Sequence, residues 1–243
     1  MLKKILQKQK YNPLVVSHRG CSVHENKLVG FTNGVHNGCN LLECDVRLSK
    51  DRSPVVIHDK RIDRTTHGKG LVKRMTKTEL SGFGIPSFLE LVEWCLQYQD
   101  VCLFVEIKDI GKKDNPELLY KVVSIIVEKQ VVDRCIIISF DDFIVSQTKK
   151  MLPDILTGFL YGPLFLSCPF ELYQQTHADC LLVHHSIIDS SFVERAKSTN
   201  TPLFAWTVND EHDLRKINNM KIDGIITDFP CAAFQIQATS RVV

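Results

Sequence analysis

Short apolar runs alternate with helix-period segments along almost the whole of this chain, and that alternation constrains the fold more than any other feature. The runs begin near Val15, Leu41, Leu103, Ile136, Leu156, Leu181, Leu203 and Gly224. Strands spaced by helices are the pattern of an α/β protein with a parallel sheet. Eight such units in 243 residues predict a TIM (β/α)8 barrel, an architecture that takes about 250. The whole chain, 1–243, is therefore expected to form one domain.

One run breaks the alternation. Val55 to Ile57 follows the second strand, Asn40 to Asp45, after only the short link Val46 to Pro54. A parallel crossover needs about a dozen residues or more, so these two runs are expected to form a hairpin turning near Lys50-Asp51. Asp45 and His58 would then lie roughly opposite each other. From Lys60 to Gly84 the sequence is polar and punctuated by glycine, and reads as a short insertion after the second strand. Helix starts are legible at Ser87 with Glu90, spaced as a capping box, and at Asn115-Pro116. Asn26 is expected to cap the first helix, with Leu28, Phe31 and Val35 at helical spacing and Gly38 as its stop. Ser191 with Glu194 is expected to cap a later one.

Composition removes several function classes. Hydrophobic residues make up 44% and charged residues 24%, ordinary for a globular protein and unlike a disordered or fibrous one. A formal charge of +2, with no long basic run beyond the first ten residues, argues against a nucleic-acid partner. Nine cysteines are scattered singly, several (Cys44, Cys102, Cys135) inside apolar runs, which suits a reducing compartment. The basic start MLKKILQKQK has too few apolar residues for a signal peptide. It reads as a solvated terminal helix, with contact to an anionic membrane surface as the alternative. No run approaches the ~18 apolar residues of a transmembrane helix, and a cytoplasmic location is expected.

Polar residues gather at the strand C-terminal ends: His18, Glu43, Asp45, Glu106, Lys108, His184, Trp206 and Asp228. That end of a TIM barrel carries the active site. Glu43 and Asp45, two apart on a strand, project to the same face and repel unless a cation or proton lies between them. With Glu106 from the next barrel strand they form an oxygen-rich set suited to Mg²⁺ or Ca²⁺. The competing reading pairs each carboxylate with Arg19, Arg47 or Lys108; the convergence of three strand ends favours the ion. His18 and His58 are candidates for a general base and acid, since imidazole titrates near neutrality, and His58 has metal ligation as a second reading. Arg19 and Lys108 suit a phosphate grip. His24, His36, His67, His177 and His212 are read as structural.

The segments HRG, HEN, ECDVRLSKD with VVIHD, then VEIK, FAWTVN and DGIITDFP, in that order over nearly the whole chain, resemble the glycerophosphodiester phosphodiesterase family. The resemblance implies a TIM barrel with a small insertion after its second strand, here reduced to residues 60–84. It implies His18 and His58 as the catalytic pair and Glu43, Asp45 and Glu106 as ligands of a divalent metal. Arg19 and Lys108 would contact phosphate, and Trp206 would line the pocket. One departure is visible: His24-Glu25-Asn26-Lys27 stands where the family usually has Pro-Glu-Asn-Thr. The implied reaction is metal-dependent hydrolysis of a small glycerophosphodiester to glycerol 3-phosphate and an alcohol. A lysophospholipase D releasing lysophosphatidic acid is the close alternative, and an inactive barrel serving as a binding module the distant one.

Overall fold

A computed structural model describes residues 12–20 and 22–239. The basic N-terminal segment and its membrane alternative lie outside them. The strands are β1 (Leu14–Ser17), β2 (Leu41–Leu48), β3 (Pro54–Val56), β4 (Cys102–Ile107), β5 (Cys135–Ser139), β6 (Leu156–Tyr161), β7 (Cys180–His184), β8 (Leu203–Trp206) and β9 (Gly224–Thr227). The helices are α1 (Leu28–His36), α2 (Lys77–Ser81), α3 (Phe88–Cys95), α4 (Asn115–Glu128), α5 (Asp142–Met151), α6 (Pro169–Thr176), α7 (Ser190–Ser198), α8 (Glu211–Asn219) and α9 (Pro230–Thr239).

The sheet runs β1-β9-β8-β7-β6-β5-β4-β2, and β1 pairs with β2 as well, so it closes. Each of these pairings is parallel. The result is the TIM barrel that the alternation predicts. Inside it, alternate strand residues meet in layers. Phe104 and Phe204 pack with ring centroids 5.6 Å apart, among Val16, Ile136, Ile138, Leu160, Leu182 and Ile226. Room for the Phe204 ring comes from Gly224, where a Cβ would lie 2.2 Å from it. The opposite faces of the strands, including Leu42, Cys44, Val105 and Ile137, pack with helix residues such as Leu91, Val122 and Ile144 in a second, larger core. Burial of each such side chain contributes roughly 1.5–3 kcal/mol. No helix among the described residues is long and apolar enough to cross a membrane.

The hairpin forms as expected. β3 runs antiparallel to β2, pairing Val46 with Val56, and the Ile57 N–H donates to the Asp45 carbonyl at 2.9 Å. His58 therefore emerges beside the carboxylate-bearing end of β2. The excursion that follows has its own small core, built from Val55, Ile57, Ile62, Val72, Leu80 and Ile85. It contains α2, capped by Thr76 and Glu79 in a capping box. A helix of five residues is too short to show an apolar period, so the sequence pattern passes over it.

Two caps differ from expectation. Lys27, not Asn26, occupies the N-cap of α1; Asn26 sits at φ 58° with its side chain turned inward. At α7 the cap is Asp189, whose carboxylate accepts the Phe192 N–H at 2.8 Å. Ser191 instead donates its hydroxyl to Asp189. The Ser87 and Glu90 box at α3 forms as expected. Cys39, Cys44, Cys95, Cys102, Cys135 and Cys180 are buried and free. Burial pushes the Cys39 and Cys102 thiols up to about 12, which leaves them inert as nucleophiles.

Candidate active site

The strand ends converge as their register dictates. Asp45 on β2 is paired with Glu106 on β4, and Glu43 lies two residues earlier on the same strand. Each of the three offers a carboxylate oxygen, all within 4.8 Å of one another. Among the described residues this is the group whose ligand atoms converge tightly enough to hold a metal ion. His58 is outside it: its Nδ1 is 2.7 Å from Asp59 Oδ1.

The cations that compete for these carboxylates are also present. Lys108 Nζ lies 2.7 Å from Asp45 Oδ1 and 2.6 Å from Glu106 Oε1. Arg19 Nε is 3.3 Å from Asp45 Oδ2, and its Nη1 donates to Glu25 at 3.0 Å. Three buried carboxylates thus face two cations. Burial opposes ionisation of Asp45, yet Lys108 and Arg19 hold it below its usual range. Glu43 is pushed well above, first by burial and then by Asp45 and Glu106; Glu106 is raised, again chiefly by burial. Glu43 Oε2 accepts the Arg19 backbone N–H at 2.9 Å, but its Oε1 is buried with no hydrogen-bond partner. An orphaned carboxylate oxygen of this kind is costly unless something fills its coordination. The hard, all-oxygen donor set fits a divalent cation.

Asn26 explains how Asp45 is aimed. Its Nδ2 donates to Asp45 Oδ2 at 2.7 Å and its Oδ1 accepts the Asp45 N–H at 3.1 Å. A residue in the left-handed region with a short amide side chain is well suited to this two-way clasp.

His18 leaves the end of β1 with Nδ1 2.7 Å from Asp228 Oδ1 and Nε2 3.9 Å from Glu43 Oε2. Asp228 is held in turn: Asn209 Nδ2 donates to its Oδ2 at 2.6 Å, and the Asp228 N–H donates to Asn209 Oδ1 at 2.9 Å. Across the site, Arg64 donates to both Asp59 and Glu25, tying the insertion to the loop after β1. Burial lowers the His58 pKa, and Lys108 and Arg19 lower it further, against the pull of Asp45 and Asp59. His58 is accordingly neutral near pH 7.

These groups line an open cavity of about 490 Å³. One wall is polar, with His18, Arg19, Glu43, His58, Glu106 and Lys108. The other is apolar, with Ile138, Phe140, Leu160, Trp206 and Ile226. Asp45 lies buried beneath it. Trp206 is fixed by its indole N–H, which donates to the Leu182 carbonyl at 3.0 Å, and by edge contacts with Phe140 and His184. None of His24, His36, His67, His177 or His212 lines this cavity. Every residue singled out for the site in the sequence is here. The partners Asp228, Asn209, Asp59 and Asn26 carry no distinguishing spacing of their own; only the position of Asp228 at a strand end hints at it.

Residues 18–232 match the model of the Glycerophosphoryl diester phosphodiesterase family. A glycerophosphodiester phosphodiesterase of Caldanaerobacter subterraneus subsp. tengcongensis is 34% identical over 232 residues, 89% of this chain and 94% of that one. A phosphodiesterase of Oleispira antarctica, solved in complex with the product sn-glycerol-3-phosphate, superposes with a TM-score of 0.84 at 27% identity, covering 93% of this chain and 96% of that one. A glycerophosphodiester phosphodiesterase of Parabacteroides distasonis shares the fold, with a TM-score of 0.83 at 22% identity over 96% of this chain and 100% of that one.

Proposed function

This chain belongs to the glycerophosphoryl diester phosphodiesterase family and is a phosphoric diester hydrolase, and on that premise we propose that it hydrolyses small glycerophosphodiesters to glycerol 3-phosphate and an alcohol. The observation that carries the proposal is the facing of two carboxylate-held histidines, His18 and His58, across a cavity floored by Glu43, Asp45 and Glu106. The product bound to the Oleispira protein supports the glycerol 3-phosphate half of the substrate.

Glu43, Asp45 and Glu106 would hold a divalent cation, Mg²⁺ or Ca²⁺, with Glu43 Oε1 as the oxygen already free to ligate. Bound there, it supplies electrostatic stabilisation of charge developing on the phosphoryl oxygens. Arg19 and Lys108 bring two further positive charges to the same rim and assist in that stabilisation. His58, neutral near pH 7 and with Nδ1 directed at Asp59, presents Nε2 as the base that takes a proton from the nucleophile. His18, with Nδ1 hydrogen-bonded to Asp228 and Nε2 3.9 Å from Glu43, faces the site as the proton donor. It donates its Nε2 proton to the leaving alkoxide. The pair serves equally whether the nucleophile is water or a neighbouring hydroxyl of the substrate. The apolar wall around Trp206 and Phe140 takes the carbon face of the glycerol unit or of the leaving alcohol.

A lysophospholipase D acting on lysophospholipids is the alternative reading within the same reaction. Between β6 and α6, Phe165 turns inward to Phe140, and Leu164 and Leu166 on either side of it are 93% and 104% exposed. That reading requires an apolar surface for the acyl chain, and this exposed pair is one. A single experiment tests both. Metal-stripped protein is assayed on glycerophosphocholine and on lysophosphatidylcholine, with Mg²⁺ or Ca²⁺ restored. Metal-dependent release of glycerol 3-phosphate from glycerophosphocholine is expected, with lysophosphatidic acid released from lysophosphatidylcholine only on the alternative reading, and His18→Ala should abolish turnover without loss of helical circular dichroism. Unchanged turnover in that variant would overturn the assignment.

A further inference from the structure

Beside the end of β2 lies a second groove, of about 890 Å³, lined by Arg47, Lys60, Lys73, Asp109, Ile110 and Gly111 among others. It shares no lining residue with the catalytic cavity. Lys60 and Lys73 reach it from two segments of the insertion, Lys73 from a single 3-10 turn at Val72–Arg74, joined by the Val72 N–H donating to the Lys60 carbonyl at 3.0 Å. Arg47 comes from the end of β2 and is only 9% exposed.

The charge here is unbalanced. Among the described residues, Arg47, Lys60 and Lys73 make no direct ion pair; Asp45, Glu106, Asp59 and Asp109 act on Arg47, and Asp109 on Lys60, only at longer range. The acidic member, Asp109, has one oxygen engaged by the Gly111 N–H at 2.8 Å and by Asn115 Nδ2 at 2.9 Å. A buried guanidinium is normally paired. Arg47 donates its Nε–H to the His58 carbonyl at 2.6 Å and also lines the groove. Three cations around one open recess, against the single lining carboxylate of Asp109, form a seat for a compact oxyanion.

We propose that this groove binds a phosphate-class dianion, separately from the catalytic site, and that occupancy lowers turnover by acting on His58 through Arg47. The link is geometric. An anion that draws the Arg47 guanidinium outward pulls on the hydrogen bond that positions the His58 backbone, and His58 is the proposed base. The coupling rests on the catalytic reading above, whereas the binding does not.

The test separates the two. Inorganic phosphate is titrated calorimetrically into the Mg²⁺-loaded wild-type protein and the double variant Lys60→Ala/Lys73→Ala, and phosphate inhibition of both is measured. Two phosphates per chain are expected in the wild type and one in the variant. In the wild type phosphate should lower kcat as well as raise apparent KM; in the variant only apparent KM should rise. A second arm with glycerol 3-phosphate distinguishes the product from free phosphate as the source of the dianion. Equal stoichiometry in the two proteins would overturn the site, whatever the catalytic outcome. Loss of a phosphate in the variant with an unchanged fall in kcat would overturn the coupling.

Discussion

Replacing Asp228 by Asn tests the arrangement around His18 most directly, because the hydrogen bonds there leave a carboxamide no satisfactory orientation. Asn209 is locked: its Oδ1 accepts from the Asp228 N–H and from the Thr227 hydroxyl, so its Nδ2 must face Asp228 Oδ2. The other carboxylate oxygen faces His18 Nδ1. A carboxylate accepts on both sides; a carboxamide has one oxygen and one NH₂. In Asp228→Asn the oxygen goes either to Asn209, which turns the NH₂ on His18 and forces its proton to Nε2, or to His18, which sets two NH₂ groups against each other. In either case the negative charge beside the His18 ring is gone.

The expected cost is that of a charge-assisted hydrogen bond, about 1.5–3 kcal/mol. At about 1.36 kcal/mol per decade this is roughly a 10- to 150-fold fall in kcat. The loss should be smaller than the ~10⁴ seen when a fully enclosed triad aspartate becomes Asn, because the Asp228 side chain is 25% exposed and water can replace part of its effect. The assay is steady-state hydrolysis of glycerophosphocholine with saturating metal, alongside thermal unfolding. KM should change little, since Asp228 does not line the cavity. A kcat within threefold of wild type would refute the role assigned to the His18–Asp228 pair.

Other perturbations reach different parts of the site. Glu43→Gln keeps an oxygen for the Arg19 N–H but removes a charged ligand, and should weaken Mg²⁺ or Ca²⁺ binding by at least the roughly 10- to 100-fold that an outer-shell loss produces; calorimetry on stripped protein measures it, and an unchanged affinity would exclude Glu43 as a ligand. His58 must be neutral to act as base, so kcat/KM should fall as pH drops through its pKa, which burial and the nearby Lys108 and Arg19 place below the usual 6.5. Asp59 pulls that pKa upward, so Asp59→Asn should shift the acid limb of the pH profile to lower pH while reducing the plateau; a limb displaced upward would contradict the sign. Asn26→Ala removes the clasp on Asp45, about 1.5–3 kcal/mol, and strains a left-handed backbone by roughly 1–2 kcal/mol. Denaturant unfolding should show both, with Asn26→Gly recovering about the backbone share.

The barrel and its chemistry-bearing residues were legible for a common reason: both are written in local patterns. Short continuous apolar runs mark the strands, buried on both faces, and the polar residues that end them are delivered to one end by the closure of the sheet, so Glu43, Asp45 and Glu106 could be grouped before any distance was known. The hairpin followed from a length too short for a crossover. What the sequence did not disclose are residues whose work depends on long-range placement. Asn26 has the look of a helix cap because Asn before an apolar period usually is one; here Asp45, brought alongside by the β1–β2 pairing, offers its side chain a buried carboxylate and a backbone N–H, and Lys27 is left to begin the helix without a side-chain cap. Asp228 and Asn209 lie on neighbouring strand ends, yet Asp228, held by Asn209, meets His18 only because the last strand closes onto the first. The same closure that makes the barrel legible thus determines which polar residues become partners, and periodicity along a single segment carries no trace of that choice.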